Sequence, residues 1–336
     1  MQNLISRAAK NLSDILRSAI CLKPTERTLV IFDTAAPLAQ IVTDAYRAAL
    51  GGATAEFLNF DESSPEDVMQ HINELQSGDL VVLVQSTNFR LNEFRLRIEL
   101  FKRGIKTVEH LHLTRLPEEQ FETYVSALAY DTDYYHPLGH GLKAKLDVAR
   151  EIVVECAGTK LMYATAMEDT KLNIGDYRAM KNVGGSFPIG EVFTEACDLT
   201  AVNGDVMVFG FAGDDHRVKF LEPFRVQIDH GILSAGPDAP PDFQHILDLI
   251  RADEDVLVRE FGLGLNSAMG KHALISDITA FERQKGMHLS LGAKHAIYAK
   301  PGLHRRKGRY HIDIFIDIKK IFVDGTPIFA DGDFII

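Results

Sequence analysis

Along the first part of the chain, short apolar runs alternate with segments whose apolar residues recur at helical spacing. Thr28 to Asp33 reads as a buried strand, and Thr54 to Phe60, Asp79 to Gln85 and Lys106 to Leu113 as three further strands. Between them, Leu38 to Leu50 reads as a helix stopped by Gly51 and Gly52. A second helix starts at Ser64 and Pro65, and a third ends near Gly104. Apolar strands alternating with helices predict a mainly parallel sheet covered on both faces. Ahead of the first strand, Leu4, Ile5, Ala8, Leu12, Ile15, Leu16 and Ala19 recur at helical spacing with charges between them. That pattern predicts an amphipathic helix on the domain surface, because a secretory leader would be one continuous apolar block.

The texture changes near Ala149. From Glu151 onward the pattern predicts shorter strands, denser glycines and antiparallel hairpins, one of them turning at Asp324 and Gly325 between Phe322 and Phe329. Tyr130 to His140 reads as a connection, followed by a long helix from Gly141 to about residue 148. The chain therefore divides into an α/β domain over 1–148 and an α+β domain over 149–336, the second rich in mixed and antiparallel β-structure.

Composition narrows the function without naming it. The 336 residues are 46% apolar and 25% charged, as in ordinary globular proteins. A net charge of -11 excludes general nucleic-acid affinity, which needs a basic surface. No apolar run approaches the ~20 residues of a membrane span. Cys21, Cys156 and Cys197 are odd in number and widely spaced, which fits a reducing compartment and a cytoplasmic location. Cys156 and Cys197 sit in apolar, strand-like surroundings, a poor setting for a nucleophile. The first strand lacks the glycine-rich turn of a dinucleotide site. Gly264 to Lys271 mimics a phosphate loop but has five residues between its glycines, where four are needed, and His272 in place of Ser or Thr.

The chemistry-bearing signal lies in the second half. His311 and Asp313 are two apart on an otherwise apolar strand, so they share a face. Such a pair either binds metal or is a hydrogen-bonded pair on an exposed face. His288 lies between apolar neighbours in another strand, Glu260 near the start of a strand rich in glycine, and Glu191 in a glycine-marked turn. Mixed carboxylate and imidazole donors suit zinc, cobalt, manganese or iron. Arg259 beside Glu260 is a candidate for a substrate carboxylate or for a contact supporting the metal ligands, and Lys294, His295 and Tyr298 are candidate pocket residues. The basic run His304 to Arg309 reads as a solvated loop or as a contact for an anionic substrate group. His110 and His112, and His136 and His140, read as partly exposed histidines of the first domain.

These segments, taken in order, resemble the M29 family of metallo-aminopeptidases, the aminopeptidase T-like group. The resemblance runs through Gly158 to Leu161, Gly185 to Thr194, Glu260 to Asn266, His288 to Gly292, His311 to Asp313 and Asp324 to Phe334. It implies that Glu191, Glu260, His288, His311 and Asp313 hold two divalent metals (zinc, cobalt or manganese) that activate a water against a peptide carbonyl. Glu260 would bridge the metals or act as base, with Glu191 as the other catalytic carboxylate. It implies a small-molecule or short-peptide substrate and a homodimer. Where the family carries a tyrosine this chain has His295, with Tyr298 as a shifted substitute, and Ile312 replaces an aromatic residue. Those positions resemble the related 2,5-dihydroxypyridine 5,6-dioxygenases, which use a single iron(II). That group, however, carries a histidine at the place of Glu260. A non-catalytic binding protein on the same scaffold is the third alternative.

Overall fold

The computed structural model describes residues 1–51, 55–91, 94–293, 298 and 309–336. Its contacts divide into two compact units: Met1–His136 with Gly175–Ile189 and Ala273–Ala280, and Pro137–Ile174 with Gly190–His272 and Phe281–Ile336.

The first unit is built on a five-stranded parallel sheet, in the order Gly184–Ser186, Lys106–His110, Leu80–Val84, Thr28–Phe32, Ala55–Asn59. Thr28–Phe32 and Leu80–Val84 are buried along their whole length, as continuous apolar runs require when helices cover both faces. One face packs Leu29, Ile31, Val81 and Leu83 against Val68 and Ile72 of the helix Pro65–Asn73 and Leu96 and Leu100 of the helix Leu96–Lys102. The Pro65–Asn73 helix starts as its sequence demands, with Ser64 and Asp67 each accepting the other's backbone N–H. The N-terminal helix Gln2–Asp14 packs its apolar stripe against the helix Pro37–Ala49. Among the described residues, no helix is long and apolar enough to cross a membrane.

Sheet order reverses at Thr28–Phe32 and Leu80–Val84, where doubly wound folds open a ligand crevice. In this chain the crevice is consumed by its own polar groups. The Asp33 carboxylate accepts N–H bonds from Ser86 (2.8 Å) and Ala35 (3.2 Å) and the Ser86 hydroxyl, whose oxygen accepts Ala36 N–H at 2.8 Å. That arrangement agrees with the missing glycine-rich turn. The edge strand Gly184–Ser186 carries no apolar signal, so nothing in the pattern marks it. Backbone bonds hold it, such as Thr107 N–H to Val183 O at 3.0 Å and Phe187 N–H to Glu109 O at 2.8 Å.

The second unit holds a 13-stranded sheet whose ladders are all antiparallel. Its hairpin Ile318–Val323 to Thr326–Ala330 turns at Asp324 (φ 47°) and Gly325 (φ 77°), the left-handed pair that a two-residue turn requires. Some expectations fail. Strands after 151 are not all short: Val202–Ala212 and Val218–Asp229 have 11 and 12 residues, and Gly204, Gly210, Glu222 and Pro223 break the apolar runs that would have marked them. The stretch expected to connect at 130–140 is helical, within Thr132–Leu146. Asp131 accepts Asp133 N–H at 2.9 Å at its start, and the poor helix formers Pro137, Gly139 and Gly141 obscure it in the sequence. Cys197, expected in apolar surroundings, is exposed.

His110 also departs from expectation, being fully buried. Its Nε2 meets the Tyr46 hydroxyl and its Nδ1 the Tyr124 hydroxyl, both at 2.9 Å. Burial pushes its pKa down to about 3. The folded pKa lies below the unfolded value of about 6.5, so the stability from burying a neutral ring is full above pH 6.5 and is lost as pH falls towards 3. Urea unfolding should therefore weaken below pH 6.5 by up to roughly 1.4 kcal/mol per pH unit from this group. His110→Gln should flatten that dependence between pH 6 and 4, and parallel profiles for the two proteins would contradict the assignment.

Candidate metal centre

Four neighbouring antiparallel strands carry the site: Glu191–Glu195, Val258–Gly264, Gly286–Gly292 and His311–Ile316. Cross-strand partners are Glu195 with Glu260, Gly262 with His288, Ser290 with Asp313, and Gly292 with His311. Partners in register share a face, and alternate residues of one strand do too. Glu191, Glu195, Glu260, His288, His311 and Asp313 therefore project from one side of the sheet. A bulge between Val258 and Phe261 sets two residues, Arg259 and Glu260, against Ser290 alone. The Ser290 hydroxyl accepts the displaced Glu260 N–H at 3.0 Å.

His288 is the centre of the group. Its Nε2 lies 3.2 Å from Glu260 Oε1 and 3.4 Å from Glu191 Oε1. One donor atom from each of the three lies within 4.8 Å of the others, and all three residues are buried. On the next strand His311 Nε2 is 3.2 Å from Asp313 Oδ1. His311 Nδ1 donates to Ala293 O at 3.2 Å, which leaves Nε2 as the atom facing the cluster. The His311 side chain is 36% exposed while Asp313 is buried, so the rim lies at His311.

Charge decides what this arrangement can hold. Four carboxylates, Glu191, Glu195, Glu260 and Asp313, are buried with two guanidiniums: Arg283 Nη2 is 3.5 Å from Glu191 Oε2, and Arg259 Nη1 is 3.6 Å from Glu195 Oε1. Among the described residues Arg283 also pairs with Glu282, so carboxylates outnumber guanidiniums, and buried charge must be compensated. In the bare chain protons supply the compensation. Burial raises the Glu191 pKa, against the pull of Arg283 and His288, and the net direction is upward. Burial would lower His288, but the hydrogen bond to Glu260 and the charges of Glu191 and Asp313 prevail and raise it. Desolvation likewise opposes protonation of His311, yet Asp313 carries its pKa up to about 9. Burial would raise Asp313, and His311 holds it below the usual carboxylate range. Divalent cations would offset such an excess of buried negative charge, and carboxylate oxygens with imidazole nitrogens are their ordinary donors. The residues fit a metal.

The structure brings Glu191, Glu260 and His288 together and sets His311 beside Asp313. Arg259, expected to meet substrate, is buried, pairs with Glu195, and donates from Nε to Gly292 O at 3.2 Å. Tyr298 is buried and donates to Asp169 O (3.2 Å) and Phe193 O (3.3 Å). Burial and then the Glu260 charge raise its pKa. His295, Lys294 and residues 304–308 of the basic run lie outside the described residues. Arg309 pairs with Asp253, its Nε 2.6 Å from Oδ2. Glu195, Arg283 and Ser290 were not anticipated. Glu195 follows Glu191 by two strand alternations and was there to be found. Arg283 lies beyond the short helix Ile278–Phe281, and no spacing reveals it.

The fold is shared with wild-type AmpT from Thermus thermophilus, with a TM-score of 0.59 over 98% of this chain and 99% of that one. Identity is 13%, so the likeness is one of fold. No protein-family model and no curated protein sequence matches the chain.

The protonation pattern makes a prediction about metal loading. Imidazole must be neutral to bind, and His311 and His288 both have raised pKa values. Loading zinc at pH 7 should release protons, and apparent affinity should climb as pH rises towards about 9. Calorimetry in buffers of different ionisation enthalpy reads the release directly. A binding heat independent of buffer would refute it.

Proposed function

We propose that this chain is a metal-dependent hydrolase of the M29 aminopeptidase type, removing amino-terminal residues from short peptides. The observation that carries the reading is the buried Glu191, Glu260 and His288 group, with donor atoms within 4.8 Å of one another. The fold shared with AmpT, an aminopeptidase, supports it. Glu191, Glu260, His288, His311 and Asp313 are the residues that would hold the metals, two per chain in this reading, as zinc, cobalt or manganese. Bound divalent ions supply a polarised carbonyl and a water of lowered pKa.

The protein's own groups do the rest. Glu260 holds a carboxylate oxygen 3.2 Å from His288 Nε2, and its position is fixed through its backbone by Ser290. In this reading it either bridges the metals or takes the proton of the attacking water and passes it to the leaving amine. Arg283 tempers the charge of Glu191. The complete burial of His288 keeps bulk water from that side of the site. The homodimer is part of the same proposal and is read by light scattering.

Protein stripped and reloaded anaerobically with zinc, cobalt, manganese or iron should bind two metals per chain and hydrolyse amino-acyl and dipeptide substrates. Glu191→Gln should lower metal occupancy and cut kcat by about a hundredfold or more, the scale on which essential groups act. One tightly held iron with oxygen uptake on dihydroxypyridines would replace this reading with the ring-cleaving dioxygenase. Metal bound without turnover on either substrate class would leave a binding protein.

A further inference from the structure

His288 must reach across the sheet. Its strand neighbours Val258–Gly264, and the Glu191 strand lies beyond that. Adjacent strands are about 4.8 Å apart, so the Glu191 strand is roughly 10 Å from the His288 backbone. Yet His288 Nε2 stands 3.4 Å from Glu191 Oε1. The imidazole can cover that span only by lying over the intervening strand, and the residue beneath it is its register partner, Gly262. A Cβ on Gly262 would stand 2.1 Å from both Cε1 and Nε2 of the ring and 2.8 Å from Cδ2. Its three nearest neighbours are thus all atoms of one side chain, the metal-ligand candidate. Gly264, two residues on, differs: a Cβ there would meet the backbone oxygen of Gln284 at 1.9 Å. One glycine accommodates a ring, the other the main chain.

We propose that Gly262 is the positioning residue of the metal centre, the gap in the middle strand through which His288 is aimed at Glu191 and Glu260. The inference rests on the metal-site reading for its functional meaning, and on packing alone for its geometry. A methyl group at 262 turns the imidazole away from the two carboxylates. Adjusting the ring is the available relief, because the clash is with a side chain and the backbone at 262 needs no movement to avoid it.

The test is a cycle of Gly262→Ala, His288→Ala and the double variant, with Gly264→Ala as comparator. Zinc affinity is measured by competition with a chelator, and stability by urea unfolding of the metal-free proteins. Gly262→Ala should weaken zinc binding by tenfold or more, in the range typical of residues that orient a ligand. The double variant should bind zinc no more weakly than His288→Ala. The stability lost on Gly262→Ala should largely disappear in the His288→Ala background, whereas Gly264→Ala should cost the same with or without the ring. Zinc affinity of Gly262→Ala within about twofold of wild type would overturn the proposal, as would an equal stability loss in both backgrounds. If the wild-type chain binds no zinc, the metal reading fails. The stability cycle then decides by itself whether Gly262 seats the ring.

Discussion

Buried negative charge is the constraint around which the second unit is organised. Glu191, Glu195, Glu260 and Asp313 leave water on one face of a sheet whose other positions are largely apolar, and among the described residues Arg259 pairs with Glu195 and Arg283 with both Glu191 and Glu282. Taking even one carboxylate out of water is costly unless a partner waits for it. The cluster therefore exists in one of two conditions, protonated or bound to cations, and the fold must tolerate both. A broad antiparallel sheet suits the task, since neighbouring strands fix the lateral spacing of the donors and the backbone ladder resists their repulsion.

The arrangement also explains why the arginines sit where they do. Arg259 and Glu260 are consecutive, and a regular strand would send them to opposite faces. The bulge opposite Ser290 relaxes that rule and brings a cation into the layer that needs it. Its cost is an N–H without a strand partner, which the Ser290 hydroxyl meets. One irregularity thus supplies charge balance and orientation together.

Much of this was legible in the residues. Thr28–Phe32 and Leu80–Val84 of the parallel sheet announce themselves as uninterrupted apolar runs, and the Asp324–Gly325 turn as the dipeptide that adopts left-handed backbone most readily. His311 and Asp313 stood out because polar groups on an apolar strand require a reason. What the sequence withheld was whatever depends on register between distant segments. Gly184–Ser186 has no apolar side chain to advertise a strand. Glu195 and Arg283 acquire meaning only when strands are laid side by side, and the bulge is invisible until its partner strand is known. The helix Thr132–Leu146 was hidden by residues that ordinarily end helices.

The first sheet takes its edge strand, Gly184–Ser186, from a part of the chain that follows three strands of the second unit, and the segment Ala273–Ala280 also returns to the first unit. A ribosome delivers the chain from its amino end, so when Lys106–His110 emerges its outer edge has no neighbour to pair with. The parallel sheet must wait with one flank of amides and carbonyls open until nearly eighty more residues have been made. A fragment cut in the middle of the chain therefore inherits a sticky edge at Lys106–His110, a flank that the whole chain closes with its own later residues.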